Sequence, residues 1–208
     1  MNGLTSNNVN TWKACSKGPN VHTCSVPTFL ESACSKFPTV AAKIVRLRLN
    51  LTRPLLEDSE FRRVKIVYLV RDPRATLNSR AAFGWCTKSR DCMEPKRLCD
   101  DIDRDLDAFG ELSKVYPDRL MLVKYETLAS EPLETFESIF HFSGLSFSPS
   151  VRETIRLHTS RNKKGAASTF RKSSEPIDRW TRKLGWLKIR RIQSVCSSVL
   201  ERLEYHVL

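Results

Sequence analysis

The sequence predicts an α/β fold in which a mostly parallel sheet is flanked by helices, and three observations carry that expectation. VKIVYLV at 64–70 is β-branched and apolar on both faces, as a central strand of a helix-covered parallel sheet should be. A helical stretch, PRATLNSRAAF, follows it directly. LMLVKYETL at 120–128 then repeats the strand signal after a second helical stretch. This alternation of strand and helix is the pattern of parallel α/β architecture.

Residues 1–27 are rich in Asn, Ser, Thr, Gly and Pro with no period of 2 or 3.6, so they read as a poorly ordered leader ahead of a domain spanning 28–208. TFLESACSKF at 28–37 places Phe29, Leu30, Ala33 and Phe37 on one side of a short helix, and AAKIVRLRL at 41–49 alternates enough to predict a strand. TRPLLEDSEF carries Pro54 in first-turn position and predicts a short helix returning to the sheet. In the stretch 97–115, Leu98, Ile102, Leu106, Phe109 and Leu112 recur at helical spacing. Glu131-Pro132 opens an amphipathic helix running to Phe142, and GWLKIRRIQSVCSSVLERLEY at 185–205 predicts one long amphipathic helix at the end of the chain.

Across 208 residues, 35 Lys and Arg against 23 Asp and Glu give a net charge of +12, which favours phosphate, sulfate or a polyanionic glycan as partner. Nucleic acid would explain the same charge, but no helix-turn-helix, RRM or aromatic-interleaved basic patch accompanies it, so no nucleic-acid partner is expected. The seven cysteines form no CxxC pair, and neither His22 nor His141 completes a zinc pattern, so no metal is expected. Cys86, Cys92 and Cys99 cluster after the first strand-helix pair, and Asn50-Leu51-Thr52 is a glycosylation acceptor. Together they lean toward an oxidising compartment, with Cys86 bridged to Cys92 or Cys99. The alternative is buried free thiols and a chance sequon. No basic and apolar leader, and no run of about eighteen apolar residues, marks a secretory or membrane address.

In open α/β sheets, ligands bind beyond the carboxyl ends of the strands, where helix N-termini favour anions. LVRDPRATLNSR sits at such a place: Arg71 leaves the strand, Pro73 starts the helix, and Ser79 and Arg80 lie about two turns along it. Arginine suits this position because its planar fork makes bidentate, charge-assisted bonds to phosphate, and a serine hydroxyl adds a donor. The plainer alternative is that Arg71 and Asp72 form a capping ion pair at a surface turn.

Taken together, RDPRATLNSR resembles the 3′-phosphate-binding signature of sulfotransferases that use 3′-phosphoadenosine 5′-phosphosulfate (PAPS). The run from Val45 to Cys86 is similar to the Golgi carbohydrate 6-O-sulfotransferases. The likeness continues in order through LCDDIDRDL, LMLVKYETLASEPLETFESIFHFSGL and STFRKSSEPIDRWTRKL to IQSVCSSVLERLEY. The resemblance implies a P-loop-NTPase-like sulfotransferase fold with PAPS as co-substrate. Arg71 and Ser79 then match the 3′-phosphate ligands, and Asp72, Arg74 and Asn78 complete the cofactor-binding signature. Arg171, in a segment similar to the one that closes over the nucleotide, is a further candidate for the same phosphate, or else part of a solvated basic loop.

It also implies transfer of sulfate to a 6-hydroxyl of galactose or an N-acetylhexosamine in a glycan of a glycoprotein or proteoglycan, by an enzyme of the Golgi lumen that is normally membrane-anchored. The family carries a Gly/Ser-rich loop after its first strand to cradle the 5′-phosphosulfate. RNKKGAAST at 161–169 follows no strand and does not fit that spacing, so the expectation is an incomplete domain with the N-terminal strand and phosphate loop missing. The competing expectation is a non-catalytic module of the same fold that binds nucleotide or sulfated glycan. The general base stays open: His141, His158, Glu31 and Glu126 are candidates, and no catalytic residue is assigned.

Overall fold

The computed structural model describes residues 31–32, 35–45, 47–160 and 177–208. The chain divides into two units, Met1–Arg46 and Leu47–Leu208. In the first, Glu31 and Ser32 are helical, and residues 35–45 form turns and irregular backbone. Of the helix expected over 28–37, residues 31, 32 and 35–37 are described, and 35–37 are turn or bend rather than helix; the leader at 1–27 lies outside the described residues.

The strand expected at 41–49 does not form: residues 41–45 and 47–48 are irregular, and Leu49 opens a 3-10 turn, Leu49–Thr52. Alternation alone was the basis for that expectation. A strand needs a partner to satisfy its backbone groups, and none of the described residues supplies one here.

The second unit runs α1 (Arg53–Glu57), a 3-10 turn Ser59–Phe61, β1 (Ile66–Val70), α2 (Pro73–Arg80), α3 (Gly84–Thr87), α4 (Arg90–Met93), α5 (Pro95–Val115) and β2 (Leu120–Lys124). It continues with α6 (Tyr125–Ser130), α7 (Pro132–Phe142), α8 (Pro149–Ser160), α9 (Arg179–Lys183), α10 (Trp186–Val195) and α11 (Ser197–Arg202). β1 and β2 pair in parallel, with Ile66 opposite Leu120 and Val70 opposite Lys124. The long α5 is the crossover between them, as parallel pairing requires.

Local chemistry explains where these elements start and stop. Proline occupies the first turn of α1, α2, α5 and α7, where its missing N–H costs nothing. α7 ends in a Schellman motif around Gly144, whose φ of 70° suits glycine. There Gly144 N–H donates to His141 O at 3.0 Å and Leu145 N–H to Phe140 O at 2.8 Å.

Arg119 ties β2 to the segment before β1. Its guanidinium donates to the carbonyls of Val64, Leu56 and Phe61 at 3.0, 2.7 and 2.7 Å. On α5, the buried Asp105 accepts from Leu49 N–H at 2.9 Å and pairs with Arg48 at 3.1 Å, holding the first 3-10 turn against that helix.

The main core gathers Val70, Ala75 and Leu77 with Leu98, Ile102 and Leu106 of α5 and with Trp180, Ile189, Ile192, Val199 and Leu200 of the later helices. Leu49, Leu56, Ala108, Leu112 and Leu120 form a smaller cluster beside it. The helices cover one face of the pair of strands. On the other face Val67 and Leu69 are exposed, so among the described residues β1 is an open edge rather than a strand covered on both sides.

The long helix expected at 185–205 breaks at Cys196, which is cross-linked to Cys99 on α5. Cys86 pairs with Cys92, one of its two expected partners. The expectation did not include the Cys99–Cys196 bridge, which joins residues 97 positions apart. Among the described residues no helix is long and apolar enough to cross a membrane.

Candidate functional site

Because the two strands are parallel and in register, they deliver their carboxyl ends side by side. Arg71 and Asp72 follow Val70, and Tyr125 and Glu126 follow the opposing Lys124. The half-buried Arg71 lies with its guanidinium carbon 4.2 Å from the Tyr125 ring centroid, a stacking contact that fixes the plane of the guanidinium fork. Asp72 N–H donates to Glu126 Oε1 at 3.1 Å, and Tyr205 OH donates to Glu126 Oε2 at 2.6 Å. Burial, reinforced by the Glu126 hydrogen bond, pushes the Tyr205 phenol well above its ordinary pKa, so it stays a donor. Glu126, one of the candidate bases, therefore has one oxygen joining the strand ends and the other held by Tyr205.

Tyr205 reaches Glu126 because the chain reverses after α11. Glu204 adopts φ 56°, Glu204 N–H donates to Glu201 O at 3.0 Å, and Tyr205 N–H donates to Leu200 O at 2.8 Å. This is a Schellman end built on a non-glycine residue in the left-handed region.

The six cofactor-binding candidates separate by environment. Asp72 caps α2, accepting from Arg74 N–H at 2.7 Å, and its carboxylate takes a fork of bonds from the Arg74 guanidinium at 2.8–3.2 Å. Arg74, only 2% exposed, also donates to Gln193 Oε1 at 2.8 Å and stacks 4.2 Å from the Trp180 ring centroid. The capping ion pair therefore exists, but Asp72 makes it with Arg74 and not with Arg71.

With Pro73 lacking an N–H and Arg74 N–H already bonded to Asp72, the first turn of α2 offers an anion less than the sequence suggested. The polar groups left facing outward are side chains. Asn78 is half-buried and Ser79 exposed near the end of α2, and neither side chain hydrogen-bonds another described residue. Arg171 lies outside the described residues. Of the other candidate bases, His141 is exposed in the last turn of α7, His158 is half-buried in the last turn of α8, and Glu31 belongs to the first unit.

Sequence reading passed over Tyr125, Tyr205, Trp180 and Gln193. The Tyr-Glu pair directly after the second strand was a usable signal, because any residue there must lie beside the end of the first strand. Gln193 and Trp180 carried no such signal, since each meets Arg74 only through the tertiary fold.

Residues 4–194 match the family model described as the sulfotransferase domain. The chain belongs to the sulfotransferase family. It is 33% identical over 199 residues to carbohydrate sulfotransferase 3 of Tetronarce californica, covering 87% of this chain and 45% of that protein. It is 30% identical to carbohydrate sulfotransferase 5 of Mus musculus, covering 84% and 50% of the two chains, and 30% identical to carbohydrate sulfotransferase 6 of Homo sapiens, covering 86% and 51%. This sulfotransferase chain thus spans about half the length of the relatives it matches. Its mixed α/β architecture, with a parallel strand pair flanked by helices, agrees with that membership.

Proposed function

We propose that the protein takes part in transferring sulfate from PAPS to a sugar hydroxyl of a glycan, and that Arg71 and Ser79, with Asn78 beside them, hold the 3′-phosphate of the donor. The observation that carries this reading is the place of Arg71: it leaves the first strand at its carboxyl end and is braced on Tyr125, while Arg74, three residues on, is buried against Asp72, Gln193 and Trp180. A guanidinium with its plane fixed and a serine hydroxyl unbonded to other described residues suit a doubly charged phosphate ester. Asp72 and Arg74 act as the frame that sets this geometry, and Arg171 remains a candidate for the same phosphate.

Bound PAPS supplies the sulfuryl group: its sulfur–oxygen bond to the 5′-phosphate breaks as the sugar oxygen bonds to sulfur, and the hydroxyl proton passes to a base. Within this scheme the chain's own contribution is positioning, which matters because misplacement by about 1 Å costs on the order of a hundredfold in rate. A 6-hydroxyl of galactose or of an N-acetylhexosamine is the acceptor we favour. The carbohydrate sulfotransferase names of the relatives support a sugar acceptor in general. Two disulfides support an oxidising location such as the Golgi lumen.

Calorimetry with 3′-phosphoadenosine 5′-phosphate (PAP) and with adenosine 5′-phosphate tests the assignment. Arg71→Ala should weaken PAP binding by about 1.5–3 kcal/mol, the scale of a hydrogen bond to a charged group, and barely change adenosine 5′-phosphate. Equal losses on both ligands would make Arg71 a structural residue.

A further inference from the structure

Immediately beyond Ser79 the chain presents two large aromatic rings to solvent. The helical hydrogen-bonding of α2 continues past its end: Ala82 N–H donates to Ser79 O at 3.2 Å and Phe83 N–H to Arg80 O at 3.0 Å. Phe83 therefore stands one helical turn from Ser79, about 6 Å further along the axis. Trp85 lies 6.0 Å from it, centroid to centroid, with the rings tilted 35°. Phe83 is 44% exposed and Trp85 63%.

Aromatic residues this large are ordinarily placed where at least one face is covered, so two adjacent open rings need an explanation. They are also held in place. Cys86 N–H and Thr87 N–H both donate to Phe83 O, at 2.9 and 3.1 Å. The Cys86–Cys92 bridge closes the hairpin, Ser89 Oγ accepts from Cys92 N–H at 3.4 Å, and Arg80 Nη1 donates to Cys92 O at 3.0 Å.

The charge around the rings is one-sided. Lys88 and Arg90 are exposed and make no ion pair with another described residue, whereas the neighbouring acid Asp91 is already paired with Arg97. A pyranose ring presents a sheet of C–H bonds to the negative face of an aromatic ring, and exposed cations beside that face select carboxylates or sulfates.

We propose that the hairpin Phe83–Arg90 is a binding platform for an acidic oligosaccharide, with Trp85 and Phe83 stacking on sugar rings and Lys88 and Arg90 pairing with its acidic groups. The platform adjoins Ser79, so a glycan lying on it is delivered toward the proposed donor site. The choice of a glycan rests on the sulfate-transfer reading, but the rings and cations do not depend on how the donor is held.

The test uses the oxidised 208-residue chain and two probes of equal length, a hyaluronan hexasaccharide with its carboxylates and a neutral chitin hexasaccharide. Binding is followed by calorimetry, with PAP binding measured separately. The wild type should bind the acidic hexasaccharide more tightly than the neutral one. Trp85→Ala should weaken both roughly tenfold, the scale of one lost aromatic contact, and leave PAP affinity unchanged. Lys88→Gln with Arg90→Gln should abolish the difference between the probes. Both positions are on the surface, so folding should be retained.

The platform is overturned if the wild type binds neither hexasaccharide, if Trp85→Ala binds as the wild type does, or if the double variant keeps the preference. Glycan binding without any preference for PAP over adenosine 5′-phosphate would instead refute the donor reading and leave the platform standing.

Discussion

Arg71 and Arg74 stand three residues apart in one motif, yet they belong to two different regions of the molecule. Arg74 is sealed among Asp72, Gln193 and Trp180, with its donors directed to side chains that come from as far as 119 residues away. Arg71 lies on Tyr125 at the open ends of the strands, and beyond it α2 runs out to the exposed Ser79 and the hairpin at 83–90. Arg74 is built into the interior of the protein, and Arg71, under the reading proposed above, is the one that meets the donor. The difference comes from geometry: the N-cap position of Asp72 directs its carboxylate back over the first turn, where Arg74 is the residue that meets it.

Each region has its own disulfide, and removing them should give unequal effects. The Cys99–Cys196 bridge fastens α5 to the α10–α11 break beside the sealed region and spans 97 residues. Replacing both cysteines by serine should cost about 4–5 kcal/mol on the chain-entropy model, read from urea midpoints, the largest effect we expect.

Arg74→Met should come next. It preserves much of the packing on Trp180 but strands the Asp72 carboxylate, and loss of one partner of a buried pair costs about 3–5 kcal/mol. A variant that unfolded at the wild-type midpoint would abolish the distinction between the two arginines.

Cys86→Ser with Cys92→Ser should cost only about 2–2.5 kcal/mol, because the loop it closes is short. Its stronger consequence should be on the hairpin, seen as faster amide exchange at residues 83–92 than elsewhere in the unit.

The smallest effect concerns the link between the regions. Glu204→Gly removes the cost of a left-handed backbone at a non-glycine residue and should stabilise the chain by about 0.5–1 kcal/mol. The loss of an exposed contact to Lys124 subtracts little from this. A destabilised Glu204→Gly variant would mean that the Lys124 contact, and not the turn, brings Tyr205 to Glu126.

The sequence revealed the parts of this arrangement that depend on neighbours in the chain. β1 and α2 were legible because an apolar run, a helix-starting Asp-Pro and a helical stretch occur in succession, and α5 because its apolar residues repeat every three or four positions. Cys92 was among the partners open to Cys86 because Cys86, Cys92 and Cys99 cluster on the segment linking two helices.

What failed depended on distant contacts. Residues 41–49 alternate like a strand, but alternation does not supply the partner that would make them one. The break at Cys196 follows from a tie to α5 that no helical period announces. Asp72 and Arg74 stand with Arg71 in the signature that the sequence resembles, and the burial of Arg74 against Trp180 and Gln193 is not announced there. Glu126 reads in the sequence only as a candidate base, and its bonds to Asp72 N–H and Tyr205 OH come from strand register and the chain reversal after α11, which local sequence does not announce.

The division of labour between the two arginines is tested most directly by urea unfolding of the wild type and Arg71→Ala, each with and without saturating PAP. Without PAP the Arg71→Ala chain should lose no more than about 1 kcal/mol, the scale of its stacking on Tyr125 and well below the loss expected for Arg74→Met. With PAP the wild type should gain the stabilisation that follows from ligand binding to the folded state, about 2.7 kcal/mol at a hundred times the dissociation constant. At that same PAP concentration Arg71→Ala, weakened by about 1.5–3 kcal/mol, should gain only about 0.3–1.3 kcal/mol. An Arg71→Ala chain that is destabilised without PAP as much as Arg74→Met is expected to be, or that keeps the full PAP-induced shift, would contradict the account.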